Sequence, residues 1–355
     1  MNLSDLGFTK ELTEFLQKAD FSGFTTGRVI REDRERYLVA TGDQEYEAEI
    51  TGNLRFSAAS RADFPAVGDW VTMVIYEQDL ALIQRILPRK SILERQAVGK
   101  PGEKQIISTN VDYAFIMQSI DNNFNINRLE RYLSICYSSN IEPVLIISKI
   151  DKATGKEVKD SIELLRKRDN RVNYFLLSNL TGEGLDQINA FIQKGKTYCV
   201  MGSSGVGKST LINNLLKKEI LKTREISRST NKGRHATEHR ELFVLDNGAI
   251  LIDNPGMREL GMTDNIEGIR NTFQEIFNLT LRCKFPDCRH IDEKGCAVIE
   301  ALQNGTIDKD SLDNFRKVLK EQKRFQISLA EKRRKDRQFG KMVKEILKEK
   351  KKNKF

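Results

Sequence analysis

A nine-residue glycine-rich segment in the middle of the chain limits the fold more than any other feature. It follows the strand-like run 198–201 and precedes the helical run 211–216, the context that a phosphate-binding loop requires. Its glycines let successive backbone N–H groups face a phosphate, and the helix adds its positive end. We expect Lys208 to bridge the β- and γ-phosphates and the Ser209 hydroxyl to bind Mg²⁺. The alternative is a glycine-rich turn with a chance lysine. The nine residues are Gly202, Ser203, Ser204, Gly205, Val206, Gly207, Lys208, Ser209 and Thr210.

The rest of the chain has a pattern that suits such a loop. Apolar strand-like runs alternate with amphipathic helical runs, which predicts an α/β layer with a mostly parallel sheet. The strand-like runs are 114–117, 144–147, 174–177, 198–201, 242–245 and 250–252. After residue 264 the sequence is mainly helical.

The N-terminal quarter has a different pattern. Residues 1–22 form a short helical lead-in, and residues 23–86 contain short runs rich in β-branched and aromatic residues separated by turns. Such a series predicts a small all-β barrel or sandwich. Five short strands in this span fit an OB-type barrel, a fold often used on nucleic acid.

A second phosphate element follows the strand-like run 250–252. It reads Asp253, Asn254, Pro255 and Gly256, the D-x-x-G pattern. Asp253 would hold the Mg²⁺ shell, and the Gly256 N–H would bond the γ-phosphate and report hydrolysis. Alone this pattern is a common turn, but its position downstream of a phosphate loop favours a γ-phosphate sensor.

Between the two phosphate elements lies a polar segment that suits a switch loop. Thr237 is the candidate to bind Mg²⁺ there. Position 257 is Met, where Ras-like GTPases place a water-orienting Gln. His235 could take that role, since imidazole can position or deprotonate a water near neutral pH. The alternative is a surface histidine that only bonds backbone or RNA phosphate.

Ras-like and related P-loop GTPases select guanine with an N-K-x-D sequence at the end of a strand. Here Ser148, Lys149, Ile150 and Asp151 follow a strand-like run, with Ser in the Asn position. Ser178 and Asn179 begin a second base-contacting turn. Both elements precede the phosphate loop, the reverse of the Ras order, which is allowed because the site is built from loops at the carboxyl ends of adjacent strands. Because Ser148 stands where the guanine-selecting sequence has Asn, an ATPase remains an alternative.

Three of the five cysteines and a histidine crowd into fourteen residues. Three thiolates and an imidazole are the ligand set of a closed tetrahedral zinc site, which should fold the segment and not catalyse. Unmetallated reactive thiols are the alternative. The predicted ligands are Cys283, Cys288, His290 and Cys296.

The positive charge of the chain lies at its C-terminal end. From Arg316 to Phe355 there are 17 Lys or Arg against 5 Asp or Glu, a local +12 against +9 for the whole chain. Such a concentration indicates a polyanion partner, although a solvated helix face can look similar. The basic residues beside the cysteines make RNA phosphate a reasonable target. No apolar run is long enough to cross a bilayer and no signal peptide is evident, so we expect a cytoplasmic protein without a membrane partner.

Four features occur together in this chain: a β-barrel, S-K-x-D before the phosphate loop, D-N-P-G-M and C-x4-C-x-H-x5-C. This combination closely resembles the ribosome small-subunit-dependent GTPase A family (RsgA, also called YjeQ). The resemblance covers about residues 24–330. It implies an OB-fold domain and a GTPase that assists late maturation of the small ribosomal subunit and is stimulated by it. The family's Gly-Arg-His switch segment is matched by residues 233–235, which implies a catalytic His235. Ser148 replaces the family's usual Asn, and Ala236 and Glu238 flank Thr237 where hydroxyl residues are common.

We therefore predict a Mg²⁺-dependent GTP-hydrolysing enzyme with one structural zinc ion. Its expected partners are GTP, GDP, the small ribosomal subunit and its rRNA, and we expect a monomer. The alternative is a nucleotide-regulated RNA-binding assembly placeholder with little functional turnover. The predicted divisions are a lead-in at 1–22, an OB-fold domain at 23–106, a circularly permuted GTPase domain at 107–278, a helical zinc-binding domain at 279–330 and a basic tail at 331–355.

Overall fold

The structure is a computed structural model of the chain. It describes all residues except 1, 20, 22, 34, 98–102, 122–123, 220–239, 255–265 and 353–355. The chain divides into two compact units, one of residues 1–94 with 106–260 and one of residues 95–105 with 261–355. The finer domain boundaries predicted above stay a prediction.

The lead-in consists of two short helical pieces. A 3₁₀ turn spans Leu3–Leu6, and helix α1 spans Lys10–Lys18. Asn2 and Thr9 cap these pieces, because each side chain accepts a hydrogen bond from a backbone N–H of the first turn. Leu6 and Leu12 are buried and Phe15 is exposed, so the apolar face of the lead-in is packed in part.

Five strands form a closed barrel after the lead-in. They are β1 (Thr25–Asp33), β2 (Arg36–Ala40), β3 (Glu45–Ile50), β4 (Trp70–Glu77) and β5 (Leu80–Ile86). Helix α2 (Gly52–Ser57) and a 3₁₀ turn (Arg61–Asp63) join β3 to β4. The strand order is β1-β2-β3-β5-β4, and β4 pairs back with β1 to close the ring. The β3–β5 pair is parallel and the other pairs are antiparallel. This closed five-stranded ring confirms the predicted OB-type barrel.

The next two strands, β6 (Ile92–Gln96) and β7 (Lys104–Thr109), form a separate two-stranded sheet. Six further strands build the predicted α/β layer: β8 (Tyr113–Ser119), β9 (Glu142–Ser148), β10 (Asn173–Leu177), β11 (Thr197–Gly202), β12 (Arg240–Val244) and β13 (Ile250–Asp253). Their order is β10-β9-β8-β11-β13-β12, and only β12 runs antiparallel to its neighbour β13. The helices of this layer are α3 (Ile126–Ser138), α4 (Gly155–Arg168), α5 (Leu185–Phe191) and α6 (Lys208–Leu216).

The barrel and the α/β layer share one continuous sheet of eleven strands. Strand β1 of the barrel pairs with β12, with Arg31 opposite Glu241 and Glu32 opposite Arg240. A fully buried Arg28 reinforces this junction. Its guanidinium donates to the carbonyls of Leu6 at 2.6 Å, Gly68 at 3.2 Å and Asn110 at 3.3 Å, and to the Thr197 hydroxyl at 3.0 Å. One side chain therefore ties the lead-in, the barrel and the α/β layer together.

The second unit is helical over most of its described length. Its helices are α7 (Ile266–Thr272), α8 (Gln274–Thr280), α9 (Ala297–Gln303) and α10 (Lys309–Lys352). Helix α10 buries Leu312, Phe315, Val318 and Phe325 at helical spacing, so its first part packs and its later part carries the basic sequence. Among the described residues, no helix combines the length and the apolar character needed to span a bilayer.

Candidate functional site

The phosphate loop joins β11 to α6, as predicted. β11 ends at Gly202 and α6 begins at Lys208. The Lys208 ammonium donates to the carbonyl oxygens of Gly202 at 2.9 Å and Ser203 at 2.7 Å, so it lies across the mouth of the loop. A Cβ at Gly202 would lie 2.5 Å from the Met117 carbonyl oxygen, which explains the first glycine. Ser209 and Thr210 lie in the first turn of α6.

The predicted base-recognition residues lie beside this loop, at the carboxyl ends of β9 and β10. Asp151 occupies a 3₁₀ turn (Ile150–Lys152) directly after β9, and the Ile150 side chain is buried. The Ser178 hydroxyl donates to the Asp151 carboxylate at 2.6 Å and accepts from the Thr181 N–H at 3.2 Å. These two bonds fix the carboxylate that is predicted to recognise guanine.

Two other predicted residues bond the phosphate loop itself. The Ser148 hydroxyl donates to the Val206 carbonyl oxygen at 2.7 Å. The Asn179 amide donates to the Gly207 carbonyl oxygen at 3.1 Å. The structure therefore brings the two base elements and the phosphate loop together, although they are far apart in sequence.

Asp253 ends β13, the strand next to β11 in the sheet. Its side chain is buried, and burial raises its pKa to about 6, while the charge of Lys208 acts in the opposite direction. Asn254 is also fully buried; its amide donates to the Ser108 hydroxyl at 3.4 Å, and its side-chain oxygen has no hydrogen-bond partner among the described residues. Burial of the Asp253 charge is expected where a Mg²⁺ shell is to be held.

We expect Asp253→Asn to change activity and stability in opposite directions. An acid whose pKa is raised on folding stabilises the fold only at low pH, and this contribution is lost as pH rises from about 4 to about 6. At pH 7.5 the ionised group is therefore destabilising, and Asn should raise stability without nucleotide by about 1 to 3 kcal/mol. GTP hydrolysis should fall by about 10²-fold because the Mg²⁺ shell loses a charge.

Thermal unfolding without nucleotide or added Mg²⁺ and a phosphate-release assay with Mg²⁺ check both effects. Asp246→Asn is the matched control, because Asp246 lies on the exposed turn before β13 and pairs with Lys217 only at the surface. The assigned role of Asp253 is contradicted if Asp253→Asn keeps GTP hydrolysis within about threefold of the wild type, or if its melting temperature is below that of the wild type.

Three predicted residues, His235, Thr237 and Gly256, lie outside the described residues. Their assignments therefore stay predictions.

The structure also brings in a residue that the sequence analysis missed. The Lys149 ammonium pairs with the Asp121 carboxylate at 2.8 Å, and Asp121 also accepts from the Ser119 hydroxyl at 2.6 Å. Asp121 lies just past the end of β8, between the strands that carry the base and phosphate elements. A carboxylate at the carboxyl end of that strand was the signal that could have identified it.

The predicted zinc ligands converge in the second unit. The donor atoms of Cys283, Cys288, His290 and Cys296 all lie within 4.8 Å of one another. The Cys283 and Cys296 sulfurs are 3.8 Å apart, and each is 3.5 Å from His290 Nδ1. Tetrahedral zinc with bonds of about 2.3 Å to sulfur and about 2.0 Å to nitrogen needs edges of roughly these lengths. The donor set and its spacing therefore fit zinc.

Local backbone bonds hold this cluster in shape. The Glu293 carboxylate accepts from the N–H groups of Arg289 and Ile291, both at 2.8 Å, and such backbone bonds lower its pKa to about 2. Arg316 of α10 donates to the carbonyl oxygen of His290. Burial lowers the pKa of His290, which favours the neutral imidazole that ligates metal.

The parallel sheet, the phosphate loop, the aspartate held beside it and the buried Asp253 define a P-loop nucleotide-binding protein of the GTPase class. In this protein the base elements precede the phosphate loop in the chain.

Comparison with known proteins identifies the family. The RsgA GTPase family profile matches residues 86–263, and a profile for 50S ribosome-binding GTPases matches residues 197–331. The small ribosomal subunit biogenesis GTPase RsgA 1 of Bacteroides thetaiotaomicron is 37% identical over 98% of both chains. RsgA 2 of Lactiplantibacillus plantarum is 41% identical over 90% of this chain and 89% of its own. The chain belongs to the RsgA GTPase family.

Solved structures agree on the fold. YjeQ from Thermotoga maritima has a TM-score of 0.62 at 24% identity and covers 84% of this chain and 98% of its own. YloQ, described as a circularly permuted GTPase, has a TM-score of 0.59 at 23% identity and covers 85% of this chain and 96% of its own.

Proposed function

We propose that the protein hydrolyses GTP in late maturation of the small ribosomal subunit, binds the rRNA of that subunit and is stimulated by it. One observation carries the nucleotide assignment: Ser178 holds Asp151 at 2.6 Å, beside a phosphate loop closed by Lys208. The names of the relatives support the biological role.

The residues divide by the part of the nucleotide that they would contact. Asp151 would accept hydrogen bonds from the guanine ring, and Lys149 and Ile150 would place it. The loop N–H groups from Gly202 to Thr210 would surround the phosphates, with Lys208 on the β- and γ-phosphates. Ser209 and Thr237 would bind Mg²⁺, Asp253 would hold its shell, and the Gly256 N–H would bond the γ-phosphate.

Hydrolysis should be slow without the ribosomal subunit. No Gln follows Gly256 to orient the attacking water, and His235 is the residue that we assign to this role. Contact of rRNA with the switch segment would place His235 and Thr237 against the γ-phosphate. GDP would be released afterwards.

RNA phosphate is the expected partner of the second unit. One zinc ion, held by Cys283, Cys288, His290 and Cys296, would fix a loop that also carries Arg282, Lys284 and Arg289. The excess of basic residues along α10 adds salt-sensitive attraction without base specificity. We propose that the protein works as a monomer in the cytoplasm.

The test is the rate of GTP hydrolysis by the full chain, with and without purified small ribosomal subunits, with ATP as the competing nucleotide. We expect strong stimulation that is specific for GTP and is lost in His235→Ala while nucleotide binding remains. Subunit binding that depends on nucleotide, without stimulated turnover, would instead support the assembly-placeholder interpretation. Equal use of ATP would contradict the guanine assignment.

A further inference from the structure

The hydroxyl of Ser148 can make only one of the two bonds that an amide could make. Ser148 is fully buried at the end of β9, and its Oγ lies 2.7 Å from the Val206 carbonyl oxygen and 3.3 Å from the Gln118 carbonyl oxygen. A hydroxyl has one proton, whereas the amide of the family's usual Asn has two N–H donors. The Ser148 hydroxyl therefore gives the end of β9 a single donated bond, and the shorter of its two contacts makes that bond to the phosphate loop.

A second amide reaches the same loop from the neighbouring strand. Asn179 follows β10, and its Nδ2 donates to the carbonyl oxygen of Gly207, the residue next to Val206, at 3.1 Å. Its Oδ1 accepts from the Asn214 amide of α6 at 3.3 Å. The Asn179 amide is thus held at both ends. A Cβ at Gly207 would lie 2.6 Å from the Asn179 Nδ2, so any other residue at position 207 would displace this amide.

We propose that Asn179 is a positioning residue for guanine recognition, adding from the second base turn an amide link to the phosphate loop beside the single hydroxyl bond of Ser148. Asn179 is the next residue after Ser178, whose hydroxyl holds the Asp151 carboxylate. The link therefore sets the distance between the carboxylate that reads guanine and the loop that holds the phosphates. This inference rests on the nucleotide site proposed above.

The consequence is a specific effect on base selection. ATP would occupy the phosphate loop without using Asp151, so a loosened second turn should weaken GTP binding more than ATP binding. A residue that merely supported the fold would weaken both nucleotides together.

The experiment measures the dissociation constants of Mg-GTP and Mg-ATP for the full chain and for Asn179→Ala. We expect GTP affinity to fall by about fivefold to tenfold, with ATP affinity changed by less than about twofold. The double variant Ser148→Asn/Asn179→Ala should regain most of the GTP preference, because an amide at position 148 can donate to the Val206 and Gln118 carbonyl oxygens together. Asn214→Ala, which removes the bond that orients Asn179, should give a smaller loss in the same direction.

Asn247→Ala is the matched control. The Asn247 amide also donates to a backbone carbonyl, that of Ile192 at 3.3 Å, but it lies on the turn before β13, away from the phosphate loop. It should leave both affinities unchanged. Equal losses of GTP and ATP binding in Asn179→Ala, an unchanged GTP preference, or a double variant without recovery would each overturn the inference. A wild type that fails to prefer GTP would instead overturn the proposed guanine site.

Discussion

Replacing Lys208 by methionine is expected to lower GTP hydrolysis by about 10²- to 10³-fold, the usual effect of removing one donor to developing negative charge. The Lys208 ammonium lies 2.9 Å and 2.7 Å from the carbonyl oxygens of Gly202 and Ser203, at the position from which it would move onto the phosphates. Methionine keeps much of the length of the side chain and loses its charge. Nucleotide affinity should also fall, because the β- and γ-phosphates lose a charge-assisted hydrogen bond.

The control for this prediction is Lys217→Ala, on the residue that follows α6. Lys217 pairs with Asp246 at 3.3 Å, and both side chains are more than 70% exposed, so hydrolysis and stability should hardly change. Phosphate release under saturating and limiting GTP separates the effect on turnover from that on affinity. If Lys208→Met keeps hydrolysis within about fivefold of the wild type, the role of Lys208 at the transition state is contradicted.

Much of the fold could be predicted because its strands have strong local patterns. The apolar runs at 114–117, 144–147 and 250–252 all became strands of the sheet, and the phosphate loop stands between β11 and α6. The convergence of Cys283, Cys288, His290 and Cys296 could be predicted because four donors in a short segment have few uses other than metal binding. Patterns of this kind depend on neighbouring residues alone.

The connections between distant segments could not be predicted. Nothing in the local pattern of β1 indicates that it pairs with β12, more than 200 residues further along the chain. The four contacts of Arg28 are likewise between distant segments, since they reach Leu6, Gly68, Asn110 and Thr197. The link from Asn179 to Gly207 likewise requires the packed sheet. The sequence predicts candidate site residues, whereas the hydrogen bonds between them appear only in three dimensions.

Removal of zinc is expected to unfold the segment around the four ligands. Structural zinc ions in small domains contribute about 10 to 16 kcal/mol to folding. Few buried groups hold the described residues between Cys283 and Cys296, since most side chains there are exposed or half-buried. Chelation should therefore expose the backbone from residue 283 into α9, and hydrogen exchange there should rise by several orders of magnitude. Native mass spectrometry of the full chain should show one zinc ion before chelation.

Cys296→Ser separates the loss of the metal from the loss of a helix cap. The Cys296 sulfur accepts from the Ile299 N–H at 3.5 Å at the start of α9, and a serine hydroxyl can accept the same bond while binding zinc poorly. We expect this variant to lose zinc and to show the fast exchange of the chelated protein. Cys136→Ala, which removes a buried thiol from α3, should keep one zinc ion. Full zinc occupancy in Cys296→Ser, or slow exchange after chelation, would mean that packing and not metal folds this segment.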